Sequence, residues 1–243
     1  MTDSRWQSRT RLLIGDEAAD DLRSKHVLVM GMGGVGSFCA EFLARAGVGR
    51  LTIVDGDVVD PSNRNRQLPA LTSTEGLFKV DVMRDRLRLI NPELQITAIR
   101  AFLTPGQMER VLATRFDYVV DAIDSLSPKV YLIAEAVKRG YPIVSSMGAG
   151  GKLDPSMIRI ADIAKTQRCA LARYVRKRLK KHGIAEGVVA VYSLEETDDA
   201  SLMFTDGANF KKSAFGTISY LPAAFGGACA SVVVRALCGK EVV

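Results

Sequence analysis

The residues of this chain best suited to chemistry begin at a glycine cluster. Gly31, Gly33, Gly34 and Gly36 lie in Gly31-Met32-Gly33-Gly34-Val35-Gly36, between the apolar run Val27-Leu28-Val29-Met30 and a stretch of helical spacing; Asp55 ends the next apolar run. A glycine turn between strand and helix leaves backbone N–H groups and the positive helix end facing outward, where they hold phosphate, and an acid about 20 residues on reaches a ribose hydroxyl. The pattern predicts nucleotide binding. Hydride-transfer enzymes and ATP users share it, so the glycines and Asp55 leave both chemistries open.

The elements that must position these residues follow from periodicity. Val35, Phe38, Phe42, Leu43 and Ala46 have the spacing of a helix buried on one face, with Gly47 and Gly49 where it stops. Leu51 to Val54 reads as a strand, 56 to 67 as a polar loop, Ser73 to Ile90 as a helix ended by Asn91-Pro92, and Leu94 to Ile99 as a strand. Thr104-Pro105 opens a helix through Leu112, and Tyr118 to Ala122 is an apolar run of the kind buried on both faces, delivering Asp121 and Asp124 to its end. A helix at Lys129 to Arg139, a strand at Pro142 to Ser146 and the loop Gly148-Ala149-Gly150-Gly151 come next. The last third is less regular: strands at Met157 to Ile160 and Val188 to Ser193, a basic helix from Ala170 to Lys181, a polar stretch with a mobile part at Gly207 to Lys212, and a helix from Ala223 to Leu237. This alternation predicts an α/β, doubly wound, mostly parallel sheet with helices on both faces and a less regular C-terminal extension. No linker divides the chain, so residues 1–243 read as one domain, with an N-terminal arm at 1–25 and a substrate-facing part at 152–243.

Composition narrows the class. A chain of 243 residues with 47% hydrophobic content can bury a full core, and a net charge of +6 permits a polyanionic partner. Cys39, Cys169, Cys229 and Cys238 form no C-x-x-C pair. Residues 1 to 23 carry no apolar core of a leader, and the weakly polar run Leu221 to Val234 is shorter than the about 20 residues of a membrane span. A cytoplasmic protein without a membrane span, its thiols reduced, is expected.

Gly31-x-Gly33-Gly34-x-Gly36, Asp55-x-Asp57, Asn63-x-x-Arg66-Gln67, Lys79 and Asp121-x-x-Asp124, in this order, resemble the MoeB/ThiF family, relatives of ubiquitin-activating enzymes that adenylate a carboxylate with ATP. Alone, Arg66 or Lys79 would read as a surface charge; their joint spacing carries the resemblance. It implies a Rossmann-like fold, with Asp55 on the ribose, Asp57 on the ribose or its loop, and the backbone of Gly31 to Gly36 on the phosphates. It also implies Asn63, Arg66 and Lys79 neutralising the triphosphate, Asp124 holding Mg²⁺, and Arg11 reaching into the neighbouring site of a homodimer. Arg66, Lys79 and Arg11 are the catalytic set of this reading, and Gly34 is expected to let the backbone approach the α-phosphate. Attack of a carboxylate at phosphorus brings two anions together, so such a site must first neutralise charge.

A narrower resemblance covers nearly the whole chain. Ala122-Ile123-Asp124-Ser125, Pro128-Lys129, Gly148 to Pro155, Asp162 to Thr166 and Phe225-Gly226 look like the tRNA threonylcarbamoyladenosine dehydratases. That group implies ATP-dependent cyclisation of threonylcarbamoyladenosine at position 37 of tRNA, and a cysteine-desulfurase sulfur-transfer partner. Adenylation of a small sulfur-carrier protein is the alternative within the family, but the chain lacks the paired C-x-x-C motifs of those activators; a nicotinamide oxidoreductase and a nucleotide sensor lie outside it. The tRNA partner has separate support. Arg168, Arg173, Arg176, Lys177, Arg178, Lys180 and Lys181 fall in a stretch without an acidic residue, with Tyr174 among them, which predicts a phosphate-backbone contact.

Overall fold

The computed structural model describes residues 4–197, 199–204 and 213–243. The mobile stretch expected at Gly207 to Lys212 lies outside the described residues.

Nine strands and eight α-helices are described: α1 Ser8–Ile14, α2 Asp16–Ser24, β1 His26–Met30, α3 Gly36–Ala46, β2 Arg50–Val54, α4 Lys79–Ile90, β3 Gln95–Ile99, α5 Pro105–Val111 and β4 Tyr118–Asp121. Then come α6 Leu126–Lys138, β5 Ile143–Ser146, β6 Ile158–Asp162, α7 Ala170–Leu179, β7 Val189–Ser193, β8 Leu202–Phe204, β9 Ser213–Phe215 and α8 Tyr220–Leu237. Seven strands form one sheet in the order β3-β2-β1-β4-β5-β7-β6, parallel throughout except for β6, which pairs antiparallel with β7. β8 and β9 form a separate antiparallel pair, which the irregular composition of that region does not foretell.

Strand side chains alternate between faces, and here both faces are apolar. Val27 and Val29 of β1 join Cys39, Leu43, Met83, Leu87, Phe225 and Cys229 from α3, α4 and α8 on one side. Leu28 and Met30 join Met108, Val130, Ile133, Val175 and Leu179 from α5, α6 and α7 on the other. The doubly wound expectation holds, because apolar runs without a polar phase can only be satisfied by helices above and below.

Several element limits differ from the sequence reading; α6, for one, begins at Leu126 rather than at Lys129. The helix expected from Ser73 begins only at Lys79: Leu77 and Phe78 pair instead with the loop after β2, where Val59 N–H donates to Leu77 O at 2.8 Å and Val58 bridges Phe78. Lys79 is therefore the first residue of α4. The basic helix ends at Leu179 and continues as a short 3-10 turn over Lys180–His182. α8 starts at Tyr220 with Pro222 in its first turn, where no i−4 hydrogen bond is lost. By length and apolar composition α8 could cross a membrane, contrary to the shorter run read from sequence; in this fold Leu221, Phe225, Cys229, Val232 and Val233 are buried in the core.

Candidate active site

β1 and β4 are adjacent where the strand order reverses, the place at which open α/β sheets bind ligands beyond their carboxyl ends. β1 delivers the glycine turn, β2 delivers Asp55, and β4 delivers Asp121 and Asp124 to the same edge.

The four glycines have different duties. Gly31 takes φ +93°, and its N–H donates to Val54 O at 2.8 Å. A Cβ on Gly36 would collide with Gly31 O, so Gly36 lets α3 begin directly against the strand. Gly33 alone has open space; the nearest atom to a Cβ there would be Gln67 Nε2 at 3.8 Å. At Gly34 a Cβ would meet Pro222 Cβ at 2.9 Å and Arg66 O at 3.4 Å. Gly34 thus packs under α8 and the Arg66 backbone, a requirement for glycine that its spacing alone does not reveal.

Asp55 is largely buried, and its carboxylate accepts from Met32 N at 2.6 Å and Asp57 N at 2.8 Å, tying the glycine turn to the loop after β2. Burial pushes its pKa up, against the opposing pull of the Lys79 charge and these N–H groups. Lys79 is buried at 4% exposure, with Nζ 2.8 Å from Asp57 Oδ2. Asp57 therefore supports the loop and holds the lysine, one of the two roles the sequence leaves for it. Arg66 donates from Nη1 to Ser62 O at 3.1 Å and Asn65 Oδ1 at 2.9 Å. Its burial lowers its pKa, and the nearby Asp124 charge opposes that shift.

Asn63 is buried, and its Oδ1 accepts from Asp60 N at 3.3 Å, so part of its hydrogen-bonding capacity shapes the Pro61–Asn63 turn that carries Arg66. Asp124 is exposed on the loop between β4 and α6 and accepts from Ser125 Oγ at 3.3 Å. Arg11 stands apart from this group in sequence and packing: it pairs with Asp16 at 2.9 Å and with Asp20, both on α2 of the same chain.

Three features take roles that the sequence reading did not give them. Gln67 has a buried Oε1 without a hydrogen-bond partner among the described residues, beside the open face of Gly33. Asp121 and Lys129 form a fully buried ion pair at 2.6 Å, completed by Ser145 Oγ on Asp121 and by Ser146 O on Lys129 at 2.8 Å. This pair lies under the edge and braces β4, α6 and β5, which accounts for Asp121 as a structural residue. Cys39 and Cys229 are small buried groups, as expected from their helical positions; burial raises both thiols, Cys229 to about 12. Lys152, buried in the loop after β5, is the third feature.

The basic residues divide. Arg176 turns inward, its Nη1 donating to Thr166 O at 3.0 Å and to Thr166 Oγ1, and so closes the 163–166 turn rather than facing solvent. Lys177, Arg178 and Lys181 line two adjoining cavities of about 390 and 370 Å³ between α6 and α7, with Ser127, Tyr131 and Tyr174. Arg178 donates to Ser127 Oγ at 2.8 Å, and Arg173 lies over the Tyr174 ring at 5.3 Å. Arg168 and Lys180 are exposed, Arg168 with φ +53° just before α7. Ser127, in the first turn of α6, is three residues beyond Asp124, so the groove begins near the sheet edge that carries Asp124.

The family model described as the ThiF family matches residues 7–243. The tRNA threonylcarbamoyladenosine dehydratase of Escherichia coli (strain K12) is 37% identical over 255 residues, covering 97% of this chain and 95% of that protein. That of Bacillus subtilis (strain 168) is 48% identical over 188 residues, covering 77% of this chain and 74% of that protein. The crystal structure of the E. coli enzyme in complex with ATP superposes with a TM-score of 0.88 at 36% identity, over 98% of this chain and 97% of that one. MccB with ATP, at 16% identity, a TM-score of 0.67, and 99% of this chain and 65% of that one, shares the fold alone. With the glycine turn, Asp55, Arg66, Lys79 and Asp124 grouped at one edge of the sheet, the chain belongs to the ThiF family and, within it, to the tRNA threonylcarbamoyladenosine dehydratases.

Proposed function

We propose that this chain binds ATP at the glycine turn and uses it to dehydrate N6-threonylcarbamoyladenosine in tRNA. The observation that carries the reading is the Asp55, Lys79, Arg66 and Asp124 constellation around a glycine turn whose one open face is Gly33. The substrate carboxylate attacks the α-phosphorus, pyrophosphate leaves, and the acyl adenylate forms. The neighbouring ureido group then attacks the activated carbonyl and AMP departs, carrying one carboxylate oxygen; the nucleoside has lost one water. Intramolecular attack at this proximity needs no enzyme nucleophile.

Lys79 and Arg66 supply the positive charge that two approaching anions require, and the low-dielectric surroundings of the buried Lys79 strengthen it. Asp55 serves the ribose through its remaining lone pairs. Among the described residues no group of three metal-ligating side chains exists, so Mg²⁺ at Asp124 would take its other ligands from phosphate and water, which suits that ion. When bound, Mg²⁺ would neutralise phosphate charge.

The homodimer is part of this reading: Trp6, Leu12 and Leu13 of the N-terminal arm are exposed at 42%, 89% and 84%, an apolar surface that a second copy would cover. For Arg11 to reach a neighbouring site it must exchange Asp16 and Asp20 for phosphate. The tRNA would run along the α6–α7 groove. A cysteine desulfurase would contribute no atom to the product, so its part would lie outside the cyclisation.

Labelling decides the chemistry. With ¹⁸O in the threonyl carboxylate, AMP should carry the label; unlabelled AMP would refute the acyl adenylate.

A further inference from the structure

Lys152 is 5% exposed, and among the described residues its ammonium has only neutral hydrogen-bond partners. Nζ donates to Thr197 Oγ1 at 2.9 Å and lies 3.4 Å from Gly150 O. Among the described residues no carboxylate comes within 4 Å of it. The nearby acid, Glu195, is engaged elsewhere: its oxygens accept from Leu153 N at 2.9 and 3.0 Å and from Asp154 N at 2.8 Å. A buried charge with neutral partners is expensive, and burial lowers the pKa of this amine against the more distant pull of Glu195.

The position of Lys152 connects it to the site. The loop 148–152 leaves β5, the strand next to β4 whose end carries Asp124. Gly151 N–H donates to Gly216 O at 2.8 Å; the next residue's carbonyl, Thr217 O, accepts from Asn65 Nδ2 at 2.8 Å, and Asn65 Oδ1 accepts from Arg66 Nη1 at 2.9 Å. One continuous set of contacts therefore runs from the buried ammonium to the guanidinium of the nucleotide loop. Gly148 has nothing within 4 Å of a Cβ position, so the loop leaves room beside it.

We propose that Lys152 receives the carboxylate of the substrate and holds it for attack on the α-phosphorus, which makes it a specificity residue for the acid-bearing nucleoside. This rests on the dehydratase reading above. The carboxylate supplies a counter-charge that the described residues do not place against the amine, and a threonylcarbamoyl group is distinguished from a bare adenine by that anion. Thr197 and Gly150 hold the amine in place until the substrate arrives.

The test compares affinities for tRNA bearing threonylcarbamoyladenosine, the same tRNA with the acid as its methyl ester, and the unmodified tRNA. The wild type should prefer the acid over the ester by about 10-fold to 100-fold, the worth of one charge-assisted bond. K152M should bind acid and ester alike while keeping its affinity for ATP and for unmodified tRNA. A folded K152M that retains the full preference for the acid overturns the proposal. If K152M does not fold, the wild type decides: equal affinity for acid and ester overturns it. A wild type that consumes no ATP with the modified tRNA would sink the dehydratase reading instead, a separate result.

Discussion

Lys79 Nζ lies 2.8 Å from Asp57 Oδ2, while the Lys79 backbone N–H donates to Asp57 O at 3.1 Å. One residue thus pins the first turn of α4 to the loop after β2 by its main chain and stores a buried positive charge on a partner that phosphate can replace. K79M should lower kcat/KM by about 10²-fold to 10³-fold, as expected for removing a group that stabilises developing charge. R66A should do likewise. D57N should lower the Tm of the nucleotide-free protein and enlarge the stabilisation produced by ATP, because phosphate then supplies the counter-charge that Lys79 has lost.

Gly33 and Gly36 separate binding from folding. G36A drives a Cβ into Gly31 O and should prevent stable folding, seen as loss of a cooperative thermal transition. G33A meets no protein atom among the described residues nearer than 3.8 Å and should leave Tm almost unchanged, yet it fills space into which the proposed ATP phosphate would come. Isothermal titration should show ATP binding weakened at least about 10-fold, the loss expected when backbone N–H groups can no longer reach a charged ligand.

Glu41 of α3 is 7% exposed and ties α3 to α4 through Arg86 Nε at 2.5 Å, with Arg45 Nη2 at 2.8 Å. Burial raises its pKa, but the two guanidinium groups outweigh burial and the net shift is downward. A depressed carboxylate gives stability that is present above its unfolded pKa and lost as pH falls through the folded one. E41Q should therefore be less stable than the wild type at neutral pH, by about 1 kcal/mol given the solvent around both arginines. The gap should begin to narrow near about pH 4, where the unfolded carboxylate gains its proton, and close as pH falls through the lowered folded pKa; denaturant melts across that range will show it.

Two kinds of basic residue should behave differently on RNA. The double variant K177E/K181E, at the α6–α7 groove, should weaken tRNA binding and reduce the slope of log affinity against log salt by about 1 per lost phosphate contact. R176A should leave that slope unchanged and lower Tm, because Arg176 closes the 163–166 turn.

The sheet and its nucleotide edge are readable because each signal is local: an apolar run, a glycine turn, an acid at the next strand end. The joint spacing singles out Arg66 and Lys79 as candidates, although it does not give the helix limit near Lys79, since pairing of Leu77 and Phe78 with the loop at 58–59 overrides their helical periodicity. Partners far apart in sequence stay hidden. Nothing near Gly34 announces Pro222, nothing near Lys152 announces Thr197, and the basic run gives no sign that Arg176 faces inward while Lys177 does not. Asp121 and Lys129, eight residues apart, become a pair only when β4 and α6 pack, with β5 supplying the remaining oxygens.

The most direct test of the central claim is mass analysis of nucleosides after incubating the protein with ATP and tRNA bearing threonylcarbamoyladenosine. The account predicts a nucleoside lighter by one water, formed with one AMP per nucleoside and about 10²-fold to 10³-fold more slowly in K79M. An unchanged nucleoside mass while ATP is consumed, or loss of water without ATP, would contradict it.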